Sequence, residues 1–143
     1  MATVNVYLTF NGNCAEAFNF YKSVFGGEFP YIGKFGDMPP QEGMPPISEE
    51  DKNKIMHVSL PISEETMLMG SDSNGCEELV AGNNFSLSLN TNSKAEAENY
   101  FNKLSEGGVI TMPLQDTFWG AYFGMWTDKF GVNWMVNYDE TPA

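Results

Sequence analysis

One histidine, two cysteines and a scatter of acids and amides are the groups of this 143-residue chain whose chemistry could operate near neutral pH. His57 is the only histidine, and imidazole is the side chain whose ordinary pKa lies closest to neutrality. It stands in Met56-His-Val-Ser-Leu60, in the middle of a predicted strand. Two readings of it stand: a general acid/base, or a satisfied structural histidine. No partner is visible beside it in sequence; Glu28, Gln115 and Asp116 fall on predicted strands that could approach it. Cys14 opens a predicted helix and Cys76 lies in a predicted loop. Their separation is not a metal-binding spacing, so they read as unpaired thiols of a reducing compartment. Trp119 and Tyr122, interleaved with Gly120 and Gly124, make an aromatic–glycine run. Such a run either lets backbone approach a ligand or closes a hydrophobic corner.

The elements that position these groups come from a repeat. Asn13–Gly27 reads NCAEAFNFYKSVFGG, and Ser93–Gly108 reads SKAEAENYFNKLSEGG, with Ala15, Glu16, Ala17 and Asn19 returning eighty residues on. Asn13 and Ser93 are good N-caps, each followed at the third position by an acid, Glu16 or Glu96. Apolar residues at 17, 20, 21 and 24, and at 97, 100, 101 and 104, make one stripe at helical spacing. A glycine pair ends each copy, which suits a left-handed stop. The spacing predicts helices over 14–25 and 94–106. Strand-forming, near-alternating segments precede both, at 3–10 and 84–90. Further strands are predicted at 27–36 (weakened by Pro30), 54–62, 66–70, 108–118, 121–127 and 132–138. Residues 37–54 carry two Met-Pro-Pro units and a charged run, so they read as a surface loop or a lid.

Bulk composition narrows the function classes. With 42% hydrophobic and 14% aromatic residues the chain can bury a sizeable core. Its net charge of −12 argues against nucleic-acid or anionic-membrane partners, which require clustered Lys and Arg. No apolar run approaches the roughly 20 residues of a membrane span, and the chain begins directly in a strand. A cytoplasmic location is the expectation.

Four stretches together carry a resemblance over nearly the whole chain: YLTFNGNCAEAFNFYKSVFGGE at 7–28, the MPP loop leading into MHVSL at 56–60, LMGSD at 68–72, and FWGAYFGMWTDKFGVNW at 118–134. The chain resembles the PhnB-like (3-demethylubiquinone-9 3-methyltransferase-like) group of the glyoxalase/bleomycin-resistance, or vicinal oxygen chelate, superfamily. The resemblance implies an α+β fold of paired βαβββ modules. Their curved mixed or antiparallel sheets would surround a cavity, commonly in homodimers. One domain over 1–143 is expected, from modules of about 1–72 and 83–140 joined by 71–83. The methyltransferase name is not carried over as an activity. No glycine-rich loop follows a strand with an acid downstream, as a nucleotide-derived methyl donor would need.

The same resemblance places the metal positions of the superfamily's enzymes at Val6, near Met69, at Ser86 (Phe85 if the register slips by one) and at Met135. None is an imidazole or carboxylate. Divalent metals need converging nitrogen or oxygen donors, and thioethers are soft ligands, so no metal and no cofactor are expected. Strand alternation then adds Leu8, Met67, Ser88, Asn133 and Asn137 to the cavity face, with Trp134 and Val136 under the helices. Such a lining of Val6, Leu8, Met67, Met69, Ser86, Ser88, Asn133 and Met135, with Trp119 and Tyr122, is either a soft pocket or a filled core. The expectation is a metal-free protein that binds a small apolar or aromatic molecule. The alternatives are a lyase-, isomerase- or oxygenase-like enzyme using His57 or an unfamiliar metal site, and a partner-binding module with a filled cavity.

Overall fold

The computed structural model describes residues 2–39, 43, 46–73 and 79–140. Residues 74–78 of the connection at 71–83, Cys76 among them, and part of the Met-Pro-Pro loop fall outside them. The chain divides into two compact units, Met1–Leu79 and Val80–Ala143.

The first unit runs β1 (Val6–Phe10), α1 (Cys14–Phe25), β2 (Tyr31–Lys34), β3 (Ile55–Pro61) and β4 (Met67–Asp72). The second runs β5 (Leu87–Asn90), α2 (Lys94–Leu104), β6 (Val109–Asp116), β7 (Ala121–Thr127) and β8 (Asn133–Asp139). Each forms one four-stranded mixed sheet, in the orders β1-β4-β3-β2 and β5-β8-β7-β6. The first strand of each unit pairs parallel with the last, and the other pairs are antiparallel. The chain is α+β, with the same strand–helix–three-strand wiring twice.

Local chemistry trims the expected elements. The strand expected at 27–36 shortens to β2, because Gly26 and Gly27 have φ of +79° and +81° and Pro30 precedes it. α2 stops at Leu104 rather than 106, and Gly107 turns the chain at φ +77°. The long loop holds 3₁₀ turns at Phe35–Asp37 and Asp51–Asn53. The apolar stripe of α1 is also shifted: the helix buries Cys14, Ala17, Phe18 and Tyr21, whereas Phe20 and Val24 are half-buried.

The two expected capping boxes part company. Ser93 accepts a hydrogen bond from the Glu96 amide at 3.1 Å, as a helix N-cap should. Asn13 makes no side-chain capping bond. Its place is taken by the buried Asp72 carboxylate of β4, which accepts from the Gly12 and Cys14 amides at 3.0 and 2.9 Å. Asp72 also accepts from Ile55 at 2.8 Å, so one carboxylate fixes the start of α1 to the start of β3. Burial, and secondarily the Asp72 charge, pushes the Cys14 thiol up to about 12. The second unit has a buried carboxylate too. Asp128 accepts from the Phe130 and Val132 amides at 2.8 and 3.1 Å and from Trp134 Nε1 at 2.9 Å, closing the β7–β8 turn.

Under each helix sits a glycine–valine cross-strand pair. In the first sheet Gly70 of β4 faces Val58 of β3, and the Phe18 ring lies on the glycine. In the second sheet Gly124 of β7 faces Val136 of β8, and Phe101 lies on that glycine. The glycine and valine have exchanged strands, which keeps the volume under the helix while moving the aromatic seat. Interiors packed at crystal-like density tolerate such volume-conserving swaps best. Around Phe101 the second core adds Trp126, edge-on at 5.4 Å, and Trp134, stacked on Trp126 at 6.2 Å.

Candidate functional site

Register decides which side chains share a face. In the first sheet Val6, Leu8 and Phe10 pair with Leu68, Gly70 and Asp72. Gly70 lies under Phe18 and Asp72 holds the start of α1, so this is the helix-covered face. Val6 and Leu8 therefore belong to the packed layer, with Leu8 buried beside Phe10. Their expected place on the opposite face is corrected. The resemblance lands one residue short of Tyr7, the partner of Met69, and a one-residue slip flips every side chain of a strand to the other side. Eighty residues separate the helices, but Met69 and Met135, alike in position on β4 and β8, pair with Tyr7 and Ser88, which are 81 apart. Carrying Val6 onto Ser86 thus crossed from one face to the other.

The helix-free face of the first sheet is where chemistry gathers. Tyr7 pairs with Met69, Met69 with Ser59, Ser59 with Tyr31, and His57 with Gly33. The Tyr7 hydroxyl lies 3.2 Å from His57 Nδ1, and the two rings stack at 5.6 Å and 30°. Tyr31 flanks the imidazole from the other side at 5.7 Å. A β-carbon on Gly33 would meet the Tyr31 hydroxyl at 2.7 Å. Glycine at 33 is what lets that ring lie along the sheet. With a neutral imidazole protonated on Nε2, Tyr7 donates to Nδ1 and the Nε2–H is left as a donor to whatever approaches. Of the acids suggested as partners for His57, Glu28 pairs with Lys22 at 3.0 Å and Asp116, in the second unit, with Lys94 at 3.1 Å.

Beside this cluster, a cavity of about 270 Å³ opens at the β3–β4 turn. Asn5, Pro61, Met67 and Met69 line it together with turn residues 63–66. Two of the residues expected from sequence, Met67 and Met69, are thus on a cavity wall. Tyr7 and Tyr31 were missed. The signal for Tyr7 was present in β1 itself, where apolar Val6, Leu8 and Phe10 alternate with Tyr7 and Thr9 and mark the core face directly.

The helix-free face of the second sheet has a different lining. Ser88 pairs with Met135, Met135 with Met125, Asn133 with Thr127, and Asn137 with Phe123. Ser86 precedes β5 on the same alternation as Ser88. Trp119 projects from the β6–β7 turn, more than half exposed, with its ring 6.0 Å from Phe123. Tyr122 is on the other face: Trp126 and Gly124 share its alternation under α2, and its hydroxyl donates to Glu98 of α2 at 3.0 Å. Its expected place in the lining is corrected. Desolvation first, and Glu98 second, raise its phenol pKa. Among the described residues, no three His, Cys, Asp or Glu side chains gather as a metal site. Nor is any helix among them long and apolar enough to cross a membrane.

Comparison with known proteins agrees with this architecture. The family described as 3-demethylubiquinone-9 3-methyltransferase matches residues 2–137. The Escherichia coli (strain K12) protein YjdN is 34% identical over 136 residues, covering 92% of this chain and 91% of its own. Protein PA1353 from Pseudomonas aeruginosa superposes with a TM-score of 0.85 at 44% identity, over 99% of this chain and 100% of its own. A putative 3-demethylubiquinone-9 3-methyltransferase, PhnB protein, from Bacillus cereus does so with 0.76 at 25% identity, over 96% and 99%. A glyoxylase/bleomycin resistance protein/dioxygenase domain from Frankia sp. EAN1pec and a fosfomycin resistance protein from Listeria monocytogenes, at 10% and 9% identity, share the fold. The chain therefore belongs to the 3-demethylubiquinone-9 3-methyltransferase family.

Proposed function

We propose that the protein binds a small apolar or aromatic molecule, without a metal ion, on the helix-free face of its first sheet. The observation that supports this is the continuity of Tyr7, His57 and Tyr31 with the methionine-lined cavity, through the Tyr7–Met69 pair. Two aromatic rings offer stacking surface, the thioethers adapt to shape, and the imidazole supplies one directed hydrogen bond. On this face the resemblance puts a superfamily metal position near Met69, and a thioether is a soft ligand that does not suit a hard divalent ion. The test is a fragment titration followed by backbone NMR. Aromatic fragments should shift residues 7, 31, 57, 67 and 69, and Tyr7→Ala should weaken them by about 1 kcal/mol, roughly fivefold. Shifts confined to the second unit, or none at all, would refute the reading.

A second reading, catalysis, gains support from the Tyr7–His57 contact, because an oriented imidazole is how a general acid/base is held. It requires turnover that His57→Gln abolishes while fragment binding persists. For assembly we propose a homodimer, since the second unit carries the exposed apolar side chains Phe85, Val109 and Phe118. Light scattering should give twice the single-chain mass; a single-chain mass at micromolar concentration would contradict this.

A further inference from the structure

Charge is unevenly placed around the proposed binding face, and this narrows the ligand. The described side chains there (Asn5, Tyr7, His57, Ser59, Met67, Met69) include no carboxylate and no ammonium. The cavity beside them is lined by apolar Pro61, Met67 and Met69 and, from the turn, by Glu64 and Glu65. No Lys or Arg lines it. Among the described residues neither glutamate takes part in an ion pair. The turn that carries them is fixed: the Ile62 amide donates to the Thr66 carbonyl at 3.0 Å, and the Thr66 amide to Ser63 Oγ at 3.1 Å. The chain as a whole bears a net charge of −12, so the surrounding field attracts cations and repels anions.

We infer that this cavity seats the ammonium end of an amphiphilic organic amine, with its apolar or aromatic body lying along Met67 and Met69 towards Tyr7. The inference rests on the binding face proposed above. A lining that joins apolar side chains to two glutamates, with no lysine or arginine among its described residues, is complementary to such a molecule. It is anti-complementary to an apolar acid of the same shape, whose carboxylate would be desolvated beside two others.

The experiment compares three isosteric probes: 4-phenylbutylamine, 4-phenylbutanol and 4-phenylbutanoate, titrated into the full chain by NMR at low salt. The amine should bind at least about tenfold more tightly than the carboxylate, with shifts centred on residues 61–69. The double variant Glu64→Gln, Glu65→Gln, in an exposed turn, should weaken the amine about fivefold and leave the alcohol unchanged. Equal affinity for amine and carboxylate, or an amine affinity untouched by the double variant, would overturn the inference. If the alcohol still binds the face in those cases, the binding proposal survives and only the charge preference fails. If none of the three binds, both fall.

Discussion

The two units share wiring and differ in what anchors it. In the first, the start of α1 is held by Asp72, a carboxylate 58 and 60 residues away along the chain. In the second, α2 is capped by its own Ser93, and the buried Asp128 reaches only 2, 4 and 6 residues onward. The buried carboxylate acts at long range in the first unit and locally in the second. The helix-free faces diverge in parallel: Tyr7, Tyr31 and His57 in the first; methionine, serine, asparagine and Phe123 in the second. A backbone topology thus tolerates different anchors and different face chemistry, provided the volume under the helix is kept. The exchanged Gly70–Val58 and Gly124–Val136 pairs show the same economy in the core.

The largest effect should come from removing the two buried carboxylates. Asp72→Ala and Asp128→Ala each remove the acceptor of three buried or part-buried donors, and hydrogen bonds to charged groups are worth about 1.5–3 kcal/mol apiece before relaxation. A loss of about 3 kcal/mol or more in unfolding free energy is expected for each. Hydrogen exchange should separate them. Asp72→Ala should expose amides as far apart as Gly12 and Ile55, whereas Asp128→Ala should loosen only residues 130–134. Equal and local patterns in both would break the distinction drawn between the units.

Overpacking comes next. A methyl at Gly70 would meet Phe18 at 2.7 Å and the Leu8 carbonyl oxygen at 2.8 Å; at Gly124 it would meet Phe101 at 2.9 Å and the Leu114 Cα at 3.1 Å. A ring can swing aside more easily than a strand can. Gly70→Ala should therefore cost more than Gly124→Ala, within the range of about 1–3 kcal/mol typical of overpacked cores. Thermal melts of the two variants decide the order, and the reverse order would show that the second helix is the tighter fit.

Much of this fold is legible in the sequence because it is local. Both helices announce themselves by spacing, and α1 runs over 14–25 as its pattern predicts. Pro30 and Gly26-Gly27 mark why β2 is short. The site was harder to read. The resemblance points near Met69, and alternation adds Met67, but the resemblance also points to Val6, one residue short of Tyr7, and the helix offset then joins Val6 to Ser86. A one-residue difference between Tyr7 and Ser88 is invisible to a helix repeat and decisive for a strand, whose period is two. Tyr31 could not be found, since its meeting with His57 depends on the pairing of β2 with β3 and on the absent side chain of Gly33. The Asp72 anchor was equally out of reach, being a contact across the sheet with no local signature.

The smallest effect tests the capping difference directly. Asn13 and Ser93 are both residues that favour N-caps, and on propensity alone their replacement by alanine should cost about the same, near 1 kcal/mol. The structure separates them. Ser93 Oγ accepts the Glu96 amide, so Ser93→Ala leaves an orphaned donor in the first turn of α2. Asn13 contributes only its carbonyl, to the Ala17 amide, and that bond survives any side-chain change. With φ near −115° its backbone also suits alanine without strain. Ser93→Ala should therefore lose about 1 kcal/mol in denaturant melts, while Asn13→Ala stays within about 0.5 kcal/mol of the parent. In an Asp72→Asn background the Asn13 change should remain small only if the neutral amide still serves the Cys14 and Gly12 donors. A cost for Asn13→Ala that appears solely in that background would show that the distant carboxylate, when present, is what makes the local cap dispensable.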